Sequence, residues 1–448
     1  MGTLTDLSFT HGLLALLAGV AAIILLTTRF KVHAFFALLV ACLVVGLGIG
    51  LPFGEVLATG KTGFGNIIGS LGLIIVFGTA LGVILEHTGA TLVLANGILR
   101  LTGRHRAAQA MNATGYAVGL PIFCDSGYIV LSGLNRSLAR QTGTAMALMA
   151  TSLAAGLYAV HCLIPPHPGA AAATDTLGAD FGRVILYGML VAIPTACSGW
   201  LWARFAVRKF RSSGEQAGGE DEAQRVTPAR LPALWLSVLP VVVPILLISI
   251  RSFTAGEGAS QAMQIVRAAG LPEAALGIGI LLALLGKRQW KQADLNALLR
   301  SAVEKAGDIL LIIGAGGAFG ALIARTDLAG HLAGNGMVAS MGIFFPFLVA
   351  AVLKTAQGSS SVAIITSATM VLPVLPALGL DHEAGKVCAV LAMGAGSMMV
   401  SHANDSYFWV ISRFSGVDMA TMLRVYTAAT FVMGCVAVGA IYLLSLFL

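Results

Sequence analysis

The sequence predicts an all-α polytopic membrane protein built from two inverted-topology repeats with broken helices or re-entrant hairpins, roughly 10–14 hydrophobic segments in all. Three observations lead there. Of 448 residues, 57% are hydrophobic and 10% charged, with mean hydropathy +0.88, where an average soluble domain carries roughly a quarter charged residues. Apolar runs near the ~20 residues that span a bilayer recur from end to end. Distant stretches of the chain also match each other at one nearly constant offset. A β-barrel would show short alternating segments instead, and these runs do not alternate.

The first run, Leu13–Thr27, is preceded by no basic residue; Met1–Thr28 holds no Lys or Arg, so it lacks the start of a cleaved signal peptide. Ala34–Leu51 and Ile67–Leu85 follow, then Val184–Phe205, Leu234–Ile250 and Val425–Leu448. Basic residues gather in four short loops: Arg29/Lys31, Arg100–Arg106, Arg204–Arg211 and Lys287–Lys291. The positive-inside rule places these loops in the cytoplasm and the N-terminus outside. It also accounts for the net charge of +7 without nucleic acid. The polar stretch Ser212–Arg230 divides an N-terminal repeat (1–211) from a C-terminal one (231–448) as a cytoplasmic linker (212–230). Six cysteines stand singly in apolar surroundings and read as small hydrophobes, not as disulfides or metal ligands.

The halves align. GVILEHTGA (Gly82–Ala90) matches GALIARTDLAG (Gly320–Gly330), and LGADFGRVILY (Leu177–Tyr187) matches SGVDMATMLRVY (Ser415–Tyr426), both at about 238 residues, the weak symmetry of transporter repeats. Ile67–Leu85 runs toward a cytoplasmic loop and its partner runs away from one, so the repeats are expected to be inverted.

Four stretches interrupt the apolar runs: GLPIFCDSG (Gly119–Gly127), HCLIPPHPG (His161–Gly169), KTAQGSSS (Lys354–Ser361) and SHANDS (Ser401–Ser406). The offset pairs the first with the third and the second with the fourth, and sets His167 opposite Asp405. Singly, each has an ordinary explanation: proline kinks, helix-bonded histidines and small residues at crossings are common in membranes. Together they place Asp125, His161, His167, Lys354, His402 and Asp405 in or beside the breaks, where each charged Asp or Lys costs about 2.5 kcal/mol or more unless paired or wet. Such breaks expose half-helix N–H groups to whatever sits between them. Glu86, Arg325 and Asp327 lie at span ends and are expected to be solvated. Asp308 is expected to pair with Lys305 or face a cavity. Asp180 and Asp418 read as helix N-terminal charges. No CxxC, HExxH, Walker or GxGxxG motif stands in a fitting context, so no enzyme, metal or cofactor is expected.

GLPIFCDSGYIVL, HCLIPPHPGAAAA, GADFGRVILYG, AQGSSSVAIIT and GAGSMMVSHANDSYFWV, in order from about residue 60 to the C-terminus, resemble the gluconate permease (gluconate:proton symporter) family of the ion-transporter superfamily. Family members commonly carry Glu where this chain has Asp125, and often Arg where it has Lys354. The resemblance implies proton-coupled uptake of a sugar acid across the bacterial inner membrane, a fold of inverted repeats with re-entrant hairpins, and a homodimer.

The residues expected to bind substrate are His161, His167, Gly169, Lys354, Gln357, Ser359, Ser360, Ser361, Ser401, His402 and Asn404, with Lys354 as counter-charge to a carboxylate. Asp125, Asp405 or His167 is expected to carry the proton. Two alternatives stay open at this level: a sodium-coupled organic-anion carrier, and a membrane receptor that binds such acids without moving them. The partners expected are thus a small sugar acid, a proton and membrane lipid.

Overall fold

The computed structural model describes residues 9–103, 106–209, 231–254, 261–287, 290–326 and 340–448. Linker 212–230 and Asp327 lie outside the described residues, which contain helices and no strand. The first half runs α1 (Phe9–Thr28), α2 (Ala34–Gly48), α3 (Phe53–Thr88), α4 (Ala90–Thr102), α5 (Ala107–Gly119), α6 (Cys124–Thr142), α7 (Met146–Leu163), α8 (Pro168–Leu177) and α9 (Phe181–Lys209). The second runs α10 (Leu234–Phe253), α11 (Gln261–Ala269), α12 (Pro272–Leu284), α13 (Gln292–Ile323), α14 (Phe344–Gln357), α15 (Ser360–Val371), α16 (Glu383–Ser397), α17 (Ser406–Ser415) and α18 (Met419–Ser445).

Among the described residues, seven helices are long and apolar enough to cross a membrane, or eight if the pair bent by 78° at α11–α12 counts as one span. With the shorter apolar helices α2, α4, α14 and Ser360–Val374, the hydrophobic segments match the number expected from sequence. The run Ile67–Leu85 proves to be the second half of α3. Pro52 starts that helix, Glu55 sits in its first turn, and Gly89 (φ 76) ends it. Its first turns carry Glu55 and Lys61, which hide them from a hydropathy window.

Two of the four interrupted stretches are hairpin tips and two are breaks within spans. With 13 residues, α5 rises about 20 Å, short of a ~30 Å hydrocarbon core. It turns at 120–123 into α6, and α14 turns likewise at 358–359 into α15. By contrast α7 and α8 form one discontinuous span, Met146–Leu177, whose residues are mostly buried, so it lies at the centre of the fold. Its counterpart is α16–α17, broken over 398–405.

Helix starts recur about 238 residues apart: Pro168 and Ser406, Phe181 and Met419, Met146 and Glu383, Ala107 and Phe344. The related helices run antiparallel where they meet. Gly63 on α3 lets the backbone of Gly317 on α13 approach closely, while Ala80 and Val83 pack with Ala302 and Leu298. On α9, Gly199 faces Met433 of α18, and Ala203 and Ala206 reach Val425. Each hairpin also crosses its span through glycine. A Cβ at Gly156 would overlap the Asn112 carbonyl, and one at Gly396 the Phe347 carbonyl.

The charges outside the breaks resolve simply. Asp180 Oδ1 accepts from Arg183 N (2.8 Å) to cap α9, and Asp418 accepts from Thr421 N (3.0 Å) and Thr421 Oγ1 (2.7 Å) to cap α18. Asp308 does not pair with Lys305; it lies 2.9 Å from His33 Nε2, because the α2 N-terminus approaches that turn of α13. Arg325 bonds Glu55 (2.6 Å), joining the end of α13 to the start of α3. The bonds from Thr421 hold the Asp418 carboxyl below the usual carboxylate range. Asp418→Ala is therefore expected to lower stability by about 1 kcal/mol near neutral pH. A group with a depressed folded pKa contributes above its unfolded value, so the difference between wild type and variant should vanish as pH falls through the acid range. Unchanged melting of the purified variant near neutral pH would show that the cap is idle.

Candidate functional site

The C-terminal end of α14 leaves carbonyls without helical partners. The break between α16 and α17 supplies them. Asn404 Nδ2 donates to Thr355 O (2.9 Å) and Ala356 O (3.2 Å), and His402 Nε2 to Thr355 O (3.2 Å). Lys354 Nζ turns back to Gly358 O (2.6 Å). Gly358 adopts φ 85, and a Cβ there would overlap the backbone oxygen of Asn404. Break and hairpin tip are thus latched together.

Behind the latch, Lys354 Nζ donates to Asp405 Oδ2 at 2.6 Å, with Lys354 0% and Asp405 4% exposed. Ser401 Oγ donates to the same oxygen at 2.5 Å, and Tyr407 N to Oδ1 at 3.0 Å, which makes Asp405 the N-cap of α17. Ser401 is itself fixed, since its N–H donates to Thr430 Oγ1 (3.0 Å) and its carbonyl accepts from Thr427 Oγ1 (2.6 Å). The counter-charge expected to face substrate is matched by Asp405 in this conformation.

The N-terminal half repeats the plan with other chemistry. His167 is the N-cap of α8, and its Nε2 donates to Gly119 O (2.8 Å) at the end of α5, again tying break to hairpin tip. His161 lies 4.9 Å from His167 between ring centroids, stacks on Tyr158, and meets the edge of Phe123. His161 Nε2 comes within 3.4 Å of Ser361 Oγ, across the two halves. A Cβ at Gly169 would lie 3.1 Å from Ser361 Cα and 2.9 Å from Ile364 Cδ1, so glycine lets the start of α8 meet the start of α15. Ser359 caps α15 by accepting from Val362 N (3.3 Å), and Ser360 is buried beside it. The partial positive ends of α8, α15 and α17 are therefore all at the breaks.

His167 and Asp405, opposite in the alignment, are both N-caps, but each bonds to its own hairpin and not to the other. Asp125 lies in the first turn of α6, within electrostatic reach of Asp405. Several buried polar atoms at the breaks have no hydrogen-bond partner: Asp125 Oδ1, His161 Nδ1, Asn404 Oδ1, and both amide atoms of Gln357. Each costs about 1–3 kcal/mol if nothing fills it. A cavity of about 10 Å³ opens beside His167, lined also by Thr79, Phe123 and Pro166, and is the size of one water. Phe123, Tyr158 and Tyr407 wall the site and were not singled out from sequence; aromatic residues within two positions of a break were the available signal for Phe123 and Tyr407.

Residues 11–447 match the GntP family permease. The gluconate permease of Pseudomonas aeruginosa is 34% identical over 449 residues, covering 97% of this chain and 98% of its own. The Gnt-II system L-idonate transporter of Escherichia coli K12 is 31% identical, covering 93% and 94%. Among solved structures, the Alcanivorax borkumensis YdaH transporter, described as having an unusual topology, superposes with TM-score 0.61 at 16% identity over 89% of both chains. Neisseria gonorrhoeae MtrF, from a class of antimetabolite efflux pumps, gives TM-score 0.61 at 15% identity over 86% and 83%. At these identities the structural likeness is one of fold.

Proposed function

Because the chain belongs to the GntP permease family, and is thus a multi-pass transport protein of the bacterial inner membrane rather than an enzyme, we propose that it takes up gluconate or a related small hydroxylated carboxylate together with a proton, by alternating access. The observation that carries this is the set of unpaired buried polar atoms on Asp125, His161, Gln357 and Asn404, gathered where half-helix N-termini converge. A polyhydroxy acid offers one carboxylate for N–H groups and several hydroxyls for such atoms. The carboxylate would lie against Ser359–Ser361 and Gly169. The hydroxyls would bond Asn404, Gln357, Ser401, His402 and the two histidines.

Antiparallel pairing of the repeat-related helices supports inverted repeats and an exchange between two outward- and inward-facing arrangements. The 10 Å³ cavity beside His167 is too small for a sugar acid, which supports a reading in which the halves part for substrate to enter. A proton carried at Asp125, Asp405 or His167 would offset the anion's charge, worth about 2.3 kcal/mol per 100 mV against an inside-negative potential. A homodimer in the lipid bilayer is part of the same proposal.

Counterflow in proteoliposomes against gluconate, other aldonates, glycerate, lactate and D-serine tests it. Exchange of a sugar acid is expected, and in a separate net-uptake experiment its addition to a lightly buffered cell suspension should alkalinise the medium, an effect a protonophore abolishes. Binding without exchange would mean a receptor, and uptake requiring Na⁺ at fixed pH would mean sodium coupling. His167→Ala removes the bond to Gly119 and a hydroxyl partner, and should slow exchange about tenfold, equivalent to about 1.4 kcal/mol. Unchanged exchange would remove His167 from the site.

A further inference from the structure

We propose that the substrate carboxylate and Asp405 compete for the Lys354 ammonium, so that binding the anion obliges Asp405 Oδ2 to take up one proton; this rests on the transport reading above. Among the described residues, Lys354 is the one buried lysine or arginine, and it is bonded to the one Asp or Glu that is buried as a whole residue. The titratable groups facing Asp405 from neighbouring helices are Lys354 on α14, Asp125 and Cys124 on α6, Tyr158 and Cys162 on α7, and Tyr426 on α18. Lys354 is the one amine among them; the rest carry charge only as anions, so it supplies the positive charge there.

The pair is neutral as it stands. An anion placed beside it adds an uncompensated charge in a dry interior, which is strongly unfavourable. Asp125 adds a second carboxylate and no positive charge. The geometry at the pair itself offers a relief. A proton on Asp405 Oδ2 turns that oxygen into a donor toward Ser401 Oγ, 2.5 Å away, reversing the existing bond. Oδ1 still accepts from Tyr407 N, so the cap of α17 survives. Lys354 keeps Gly358 O and swings its freed N–H toward the α15 N-terminus, where the carboxylate lies. Anion and proton then enter together, one of each, and leave the site neutral. For a monovalent acid the cycle moves no net charge, and the pH gradient drives it.

The test is proton uptake on binding, which needs no transport. Gluconate, or the acid identified by counterflow, is added to the purified wild-type protein in lightly buffered detergent with a pH dye. About one proton per bound anion is expected, with a Kd that rises as the pH is raised. In Asp405→Asn, which mimics the protonated acid and frees the ammonium, the acid should bind at least as tightly as to wild type at low pH, with a Kd independent of pH and no proton taken up. Proton uptake by D405N equal to that of wild type overturns the proposal. Should D405N not fold, K354Q/D405N removes both charges and is expected to bind weakly, again without proton uptake; uptake there is equally fatal. If the wild-type protein neither binds nor exchanges any acid, the transport reading falls and takes this one with it. Normal wild-type binding beside an unaltered D405N removes the competition alone.

Discussion

Lys354→Gln is expected to destabilise the protein by about 3–5 kcal/mol and to abolish uptake. The size follows from burial. Lys354 has no exposed surface, and Asp405 nearly none, so the variant strands a carboxylate whose remaining donors are Ser401 and Tyr407 N. It also removes the donor to Gly358 O at the hairpin tip. Removing one partner of a buried pair differs from removing both. K354Q/D405N should regain most of the lost thermal stability in detergent, because two amides can bond each other, while uptake stays lost. A single variant as stable as wild type would mean that the pair is wet or loosely held.

Gly358→Ala should be nearly as damaging, for a backbone reason. The left-handed conformation at φ 85 costs an L-residue roughly 1–2 kcal/mol by itself. The added Cβ also overlaps the Asn404 backbone oxygen, and backbone cannot rotate away as a side chain can. The 401–405 loop must shift, which breaks the bonds from Asn404 to Thr355 O and Ala356 O. Gly143→Ala is the control, since its φ is 63 but nothing lies within 4 Å of the new Cβ. It should lose only the conformational part and transport normally. Equal loss of transport in the two variants would show that the latch is not needed.

The interruptions that frame the candidate site could be read from residue order. Pro165, Pro166 and Pro168 cannot sustain a helix through 161–169, and ionisable residues are too costly in lipid to be scattered there without purpose. Hence the placing of His161, His167, Lys354, His402 and Asp405 in or beside helix interruptions was identifiable from the chain. What could not be read was which atoms each would bond. Lys354 and Asp405 are 51 residues apart, and Ser361 and His161 are 200 apart, so no local pattern links them. Likewise Asn404 and His402 read as ligands for hydroxyls, yet they spend donors on the end of α14, a need that appears only once that helix is seen to stop beside them.

By itself the sequence determined the solvent, the helical class and the four places where helices cannot continue. Those follow from hydropathy, proline geometry and the cost of charge in hydrocarbon, all of which act locally. Only the tertiary structure decided that two interruptions are hairpin tips and two are breaks in spans. It also decided that the buried cation faces Asp405 rather than open space. Both outcomes depend on how antiparallel helices close on one another, and that closeness is set by glycines such as Gly63, Gly169 and Gly199, whose missing side chains matter only when the partner helix is in place.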